Sequence, residues 1–329
     1  MKAKKTQSPL ADLTAELKSL DAQQDEQHGV PLTTRPVVND SEQPKSSLKH
    51  AMARIARRHD ESSIRADTPY GDEVDLFIPG MRNGFRSMPT CIAQSSVFAP
   101  VARGAKEVYR DRHVETRGKT KIEFSGEQLD EAQADVWMQV LYEASKYSLG
   151  REFPITRSQI LKGAGRHTGK WEYEWLYRTM KALCFAMVVI ETGDGLKIGH
   201  AHAFHMISSF KYLPEHDLYV TSIDRRWERL YRNRQYILVN WEQRLAFRNQ
   251  MDVAKSLHRL ILTSSDEVHR YGLEFLKARA LYSARMCDFR NRALPKAMDE
   301  LVRLGIVERW FIGENLKGAA QLVLKRRTA

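Results

Sequence analysis

Apolar and basic positions divide residues 285–305 into two faces. Met286, Phe289, Ala293, Ala297, Leu301 and Leu304 recur at steps of three and four, which predicts one helix with a continuous apolar stripe. Arg285, Asn291, Arg292 and Lys296 project away from that stripe near the N-terminal half, and on an ideal wheel Arg290 lies at its edge. Residues 306–312 and 321–325 then read as two strands around a Gly/Asn/Lys-rich connection at 313–318. Pro295 breaks the rule for a helix interior, where proline costs about 3 kcal/mol. The pattern therefore predicts either a short first segment or a bend at that point. An outward row of charge is by itself the usual surface of a solvated helix; the hairpin directly behind it is what turns the reading toward a recognition helix followed by a wing.

The same order is written earlier in the chain. Residues 106–115 and 120–124 read as strands, and residues 127–147 as a long helix that buries Leu129, Val136, Trp137, Val140, Leu141 and Ala144. Thr156 can cap a short helix through Leu161, and glycines at 163, 165 and 169 mark a turn. A helix over 171–183 buries Trp175, Leu176, Thr179, Met180 and Leu183, and strands follow at 187–192, 196–210 and 216–221. Beyond a joint near 222–240, helices are expected at 224–232 and 241–248, on the face carrying Val253, Leu257, Leu260 and Ile261, and at 271–280. The predicted fold is α+β: two tandem winged-helix domains, 82–222 and 223–329, behind a largely disordered tail.

That tail, residues 1–72, is rich in Gln, Asp, Ser, Thr, Lys and Pro and has neither Trp nor Phe, so it cannot bury enough surface to fold alone. Leu10, Leu13, Leu17 and Leu20 share one helical face, as do Leu48, Met52 and Ile55, which marks short partner-binding helices. At its end stands an acidic and apolar pentapeptide, Glu73, Val74, Asp75, Leu76 and Phe77.

Charge narrows the class of partner. A net +11 over 329 residues suits a polyanion, because each neutralised phosphate releases condensed counterions. No apolar run approaches the roughly 20 residues that span a bilayer, and no signal peptide opens the sequence, so a cytoplasmic protein without membrane partners is expected. Cys91, Cys184 and Cys287 form no C-x-x-C and are read as reduced, mostly core thiols; neither a metal nor a cofactor is expected.

Double-stranded DNA is the polyanion this arrangement suits. Arg292 can bond guanine O6 and N7, and Asn291 can read adenine. Arg309, Lys317, Lys325, Arg326 and Arg327 in the wing would meet phosphates. In the first domain Arg166, His167, Thr168, Lys170 and Tyr173 crowd a helix start, whose positive end favours a phosphate.

Three rival chemistries can be read from the same residues. His200 and His202 have the spacing of paired metal ligands in rolling-circle nickases, and Tyr177 stands one helical turn from Lys181, a possible nucleophile beside a cation. The middle residue of that pair is only alanine, and no carboxylate is placed as third ligand. Gly169–Lys170 is like the end of a P-loop, but Ala164 holds the first glycine position and Trp171 follows the lysine, so no ATPase activity is expected. A transcriptional repressor would use the same winged helices, and enzymatic activity is not expected.

Several stretches carry a family likeness. V-D-L-F at 74–77 is followed by F-R-S-M-P and Q-S-S-V-F; D-V-W-M-Q-V-L-Y-E-A-S-K-Y stands at 135–147, R-T-M-K-A-L at 178–183, D-F-R-N-R at 288–292 and D-E-L-V-R-L-G-I-V-E at 299–308. In this order they resemble the iteron-binding plasmid replication initiators, most closely the TrfA-like branch of the RepA/RepE-type tandem winged-helix proteins, over about residues 72–312. Asn291 replaces the middle arginine of the D-F-R-R-R segment. The pentapeptide resembles a sliding-clamp binding motif, with Glu73 and Val74 in place of glutamine and leucine. The resemblance implies a protein that binds direct repeats in a plasmid origin, opens adjacent A·T-rich DNA into single strands, and recruits the host replicative helicase and sliding clamp. It further implies a homodimer interface in the first winged helix and main base readout in the second. Arg290 and Arg292 match the family's basic pair, with Lys296 one turn further.

Overall fold

The computed structural model describes residues 77–78, 81, 84–101, 106–117, 120–191, 202–231 and 235–327. The predicted tail helices and residues 73–76 of the pentapeptide lie outside these; Phe77 is exposed, and Ile78 beside it is fully buried.

The fold is mixed α+β. It opens with β1 (Phe85–Pro89), α1 (Thr90–Gln94), β2 (Phe98–Ala99), β3 (Val108–His113), β4 (Lys121–Glu127) and β5 (Leu129–Asp130). Next comes α2 (Glu131–Ala144), which starts where it does because Asp130 and Gln133 form a reciprocal capping box. β6 (Glu152–Thr156) leads into α3 (Arg157–Gly163), capped by Thr156 and Gln159 in the same way. Then follow α4 (Lys170–Phe185), β7 (Met187–Glu191), β8 (His202–His205), β9 (Ser209–Leu213) and β10 (Leu218–Ser222).

Of the strand expected over 196–210, residues 196–201 lie outside the described residues, and the rest falls into two strands in two sheets. β8 closes the four-stranded order β3-β4-β7-β8, whereas β9 belongs to β6-β10-β9. Buried Met206 and Ile207 mark the break, and two indoles hold it: Trp137 Nε1 donates to Met206 O at 2.8 Å and Trp227 Nε1 to His205 O at 3.0 Å.

The second half contains α5 (Glu228–Tyr231), β11 (Tyr236–Asn240), α6 (Trp241–Leu245), α7 (Asp252–Ile261), β12 (Val268–Gly272) and α8 (Leu273–Arg279). It ends with α9 (Met286–Asp288), a π turn at Phe289–Ala293, α10 (Leu294–Arg303), β13 (Val307–Glu314) and β14 (Ala320–Arg326), in a sheet of order β12-β14-β13. β11, unforeseen from periodicity, pairs antiparallel with β1. Helix, strand, helix, helix and hairpin thus occur twice with the same sheet order: the strand after the first helix, then the last, then the middle one. In the first copy β7 and β8 are inserted ahead of the hairpin. Among the described residues no helix is long and apolar enough to cross a membrane.

Two apolar cores, one built from residues 78–241 and the other from residues 247–324, meet across a seam of buried charge. Glu131 of α2, wholly buried, accepts from Arg244 Nη2 of α6 at 2.8 Å and from Arg259 Nη2 of α7 at 2.5 Å. Asp135, one turn on, takes Arg244 Nε at 2.7 Å and Lys255 Nζ at 2.8 Å. Arg279 of α8, also buried, donates to Ala93 O at 2.6 Å and to Ser256 Oγ at 2.6 Å.

Burial alone would raise the Glu131 carboxyl, but the guanidiniums of Arg259 and Arg244 outweigh it and hold the group at about 2, against an ordinary 4.5. A depressed carboxylate stabilises the folded state above its unfolded pKa, and that contribution is lost as pH falls through the folded one. The Glu131→Gln variant should unfold at lower urea concentration at neutral pH, by about 3–5 kcal/mol, because buried Arg259 loses its carboxylate and Arg244 one of its two. The gap from the parent should narrow between about pH 4.5 and about pH 2. A gap that is constant with pH would mean that Glu131 does not supply this stability as an ion.

Candidate nucleic-acid interface

The helix that starts at Met286 has to accommodate Pro295, which lacks an N–H and whose ring crowds the carbonyl four residues back. It does so by widening. Leu294 N–H bonds to Phe289 O, five residues back, in the π turn immediately before the proline. Phe289 and Leu294 consequently share the buried side with Ala297, Met298 and Leu301, whereas Ala293, expected in the stripe, is only half-buried.

The extra residue in the turn opens the outer face. Arg290, Asn291 and Arg292 are all exposed in succession, with Lys296 exposed beyond them. Arg290 is thus displaced from the stripe edge that an ideal wheel gives it. Among the described residues, none of Arg290, Arg292 and Lys296 has an ion-pair partner. Arg285 lies 3.4 Å from Asp288 one turn ahead. The far end of the helix is anchored: buried Glu300 bonds Arg303 at 2.6 Å and the Arg248 N–H at 2.8 Å, and Arg303 reaches Ala246 O.

Hairpin β13–β14 departs from expectation at Lys325. Its ammonium sits 3.1 Å from Glu267 and 3.5 Å from Glu308, and the hydrogen bond to Glu267 raises its pKa. It ties β14 to β13 and to the residue ahead of β12. Arg326 is likewise turned to Ser264 O at 3.2 Å. Arg309, Lys317 and Arg327 are exposed.

In the first copy, Arg166 is also committed to the protein. It pairs with Glu172 at 2.7 Å and stacks 3.7 Å from the Trp175 ring. His167, Thr168 and Lys170 are exposed, but Gly169 is the N-cap of α4 and no side chain caps that end. Tyr173 is half-buried beneath Arg157, whose guanidinium lies 4.1 Å from its ring and 4.8 Å from that of Tyr212, and which is ion-paired with Asp217. Arg157, Tyr173 and Tyr212, together with Lys170, Glu174, Tyr177, Arg178 and Tyr219, line a cleft of about 840 Å³ between α4 and hairpin β9–β10.

Arg178 and Lys211 on β9 are outward-facing cations that sequence reasoning passed over, and Lys181, read from sequence only as a cation beside Tyr177, faces outward with Arg178. The signal for Arg178 and Lys181 was present: they fall opposite Leu176, Thr179, Met180 and Leu183 on the α4 wheel. Tyr177 packs edge-on to Phe210 at 5.8 Å, and the Lys181 ammonium lies over Phe185. His200 and the side chain of His202 are outside the described residues. Burial pushes the Cys91 and Cys184 thiols up to about 12, whereas Cys287 departs from the expected core placement and is exposed beside the basic row.

No protein-family model matches the chain, and no curated protein does so either. Among solved structures, a selenomethionine derivative of domains 2 and 3 of RctB aligns over 70% of this chain and 95% of its own at 14% identity, with a TM-score of 0.45. A second structure of RctB domains 2–3 aligns over 71% and 96% at 12% identity, with a TM-score of 0.43.

The unpaired and the braced cations should behave differently on DNA. Arg292→Ala should cost about 1–3 kcal/mol on the preferred sequence and little on random duplex. Lys296→Ala should weaken both and lower the slope of log affinity against log salt by about 1. Lys325→Ala should lower thermal stability and leave that slope unchanged. Titrations over a salt series separate these, and equal losses by Arg292→Ala on preferred and random DNA would remove its base-reading role.

Proposed function

We propose that this chain is a replication initiator that binds direct repeats in double-stranded origin DNA through two tandem winged helices. The observation that carries the reading is the uncompensated row Arg290, Asn291, Arg292 and Lys296 on the outer face of a core-packed helix, with a hairpin directly behind it. The strand orders β6-β10-β9 and β12-β14-β13 are those of a winged helix, which supports the tandem assignment.

In this reading the second unit lays its helix in the major groove, where Arg292 bonds guanine and Asn291 adenine. Lys296, Arg309 and Lys317 follow the phosphates. The first unit adds contacts through Lys170, Arg178 and Lys181. Occupied adjacent repeats bend the duplex and strain neighbouring A·T-rich DNA toward single strands. The host helicase and sliding clamp then assemble, the clamp through Glu73–Phe77, and the free protein is a homodimer. The chain itself makes and breaks no covalent bond.

The test is incubation with Mg²⁺ and supercoiled DNA that carries the region flanking its gene, followed by footprinting and denaturing electrophoresis of one sample. Evenly spaced protection, permanganate-reactive thymines nearby and intact strands are expected. A strand-specific nick with protein attached, lost in Tyr177→Phe, would replace this reading with a nickase. Protection of repeats without opening, even with host architectural protein added, would replace it with a repressor.

A further inference from the structure

The outward row of the second unit, Arg290, Asn291, Arg292 and Lys296, contains no ring. The outward face of α4 in the first unit does. Trp171, Glu174, Arg178, Lys181 and Phe185 recur at steps of three and four, which makes them one outer stripe. Trp171 is 77% exposed and Phe185 66%, so the fold leaves most of both rings uncovered. Lys170, Tyr173 and Tyr177 lie along one flank of this stripe, on the side of hairpin β9–β10.

From that flank a chain of rings crosses to the hairpin and returns. Tyr177, itself half exposed, meets Phe210 at 5.8 Å; Phe210 meets Tyr219 at 5.4 Å, and Tyr219 meets Tyr212 at 5.6 Å. The Arg157 guanidinium closes the chain, 4.8 Å from the Tyr212 ring and 4.1 Å from that of Tyr173. The Tyr212 hydroxyl donates to Asp217 at 3.0 Å, which fixes that ring in place. Tyr173, Tyr177, Tyr212 and Tyr219 thereby wall the cleft of about 840 Å³. Lys170 and Arg178 stand at its α4 side, exposed and without an ion-pair partner among the described residues; Glu174 between them is the one carboxylate in the lining.

The shape of the cleft decides what can fill it. Its volume falls within the roughly 300–1,000 Å³ that encloses a small ligand, so it admits a group of nucleotide size and excludes a duplex. The methyls and sugars of a closed duplex lie on a convex surface, and its base faces are covered by their neighbours. Such a surface can touch the outer stripe but cannot enter between α4 and the hairpin. An unpaired strand brings free base faces and separate phosphates, which match ring walls flanked by cations.

We propose that this cleft and the adjoining stripe hold single-stranded DNA, with an unpaired base stacked among the tyrosines and its flanking phosphates on Lys170, Arg178 and Lys181. This rests on the DNA-binding reading above and adds a division of labour to it: the second unit holds the duplex while the first holds an unpaired strand.

The probe is labelled oligothymidine, added to the full chain alone and to the full chain saturated with a duplex that it has selected from a random-sequence pool. Binding is expected in both cases. Tyr177→Ala and Trp171→Ala should each weaken oligothymidine by roughly 5- to 150-fold, the loss of one stacked ring, and leave the selected duplex little changed. Tyr177→Phe keeps the ring and should bind oligothymidine as the parent does. Parental binding of oligothymidine by both alanine variants, equal losses on the two probes, or release of oligothymidine by the duplex would each overturn the proposal. Tighter binding of oligouridine than of oligothymidine would reassign the cleft to RNA. A parent that selects a duplex but ignores oligothymidine would sink the proposal and leave the DNA-binding reading intact. Tyr177-dependent binding of oligothymidine by a parent that selects no duplex would sink that reading and keep the cleft.

Discussion

Glu131 placed between Arg244 and Arg259 is the constraint on which the arrangement of this protein rests. An ion removed from water is tolerated only where its partners meet it at good geometry. Here the anion comes from α2, in the first helix–strand–helix–helix–hairpin unit, and the cations come from α6, which precedes the second, and α7, which opens it. An apolar seam would accept small slides of one unit over the other, since apolar contact has no direction. The ionic seam does not, because Asp135 must meet Arg244 and Lys255 at the same time, and Arg279 must find the carbonyl of Ala93. The two cores are therefore held in a single register.

The outer surface follows from a second local constraint. Pro295 cannot sit in a regular α-helix without cost, and the π turn ahead of it is the form that cost takes. One additional residue in that turn keeps Phe289 and Leu294 in the core and lets three successive polar residues face out. Position by position, the basic row is a consequence of a backbone irregularity, and in the hairpin behind it Lys325 is held between two carboxylates.

Much of this was legible in advance because it is periodic. The faces of α2, α4 and α10, the Thr156 cap and the C-terminal hairpin all express rules that act over a few residues. What periodicity missed has longer range. β11 exists because β1 is available to pair with it, and nothing in Tyr236–Asn240 announces that partner. Lys325 and Arg166 looked like solvated cations until the carboxylates of Glu267 and Glu172 were brought to them by the fold. Glu131, Asp135, Arg244 and Arg259 carry no local mark of burial either, since a charged residue on a helix is ordinarily a surface residue. The π turn escaped because a wheel assumes one pitch throughout, and that assumption also misplaced Ala293 and Arg290.

The pairing of β1 with β11 has a consequence for how the chain is made. Phe85 must wait for Asn240, roughly 150 residues later, before its strand has a neighbour, and Glu131 waits almost as long for its guanidiniums. At elongation rates of roughly 5–20 residues per second that delay is roughly 8 to 30 s. During it the nascent first unit has an open strand edge and an uncompensated carboxylate. The first core is thus completed only when the beginning of the second has left the ribosome, and the two units are born as one.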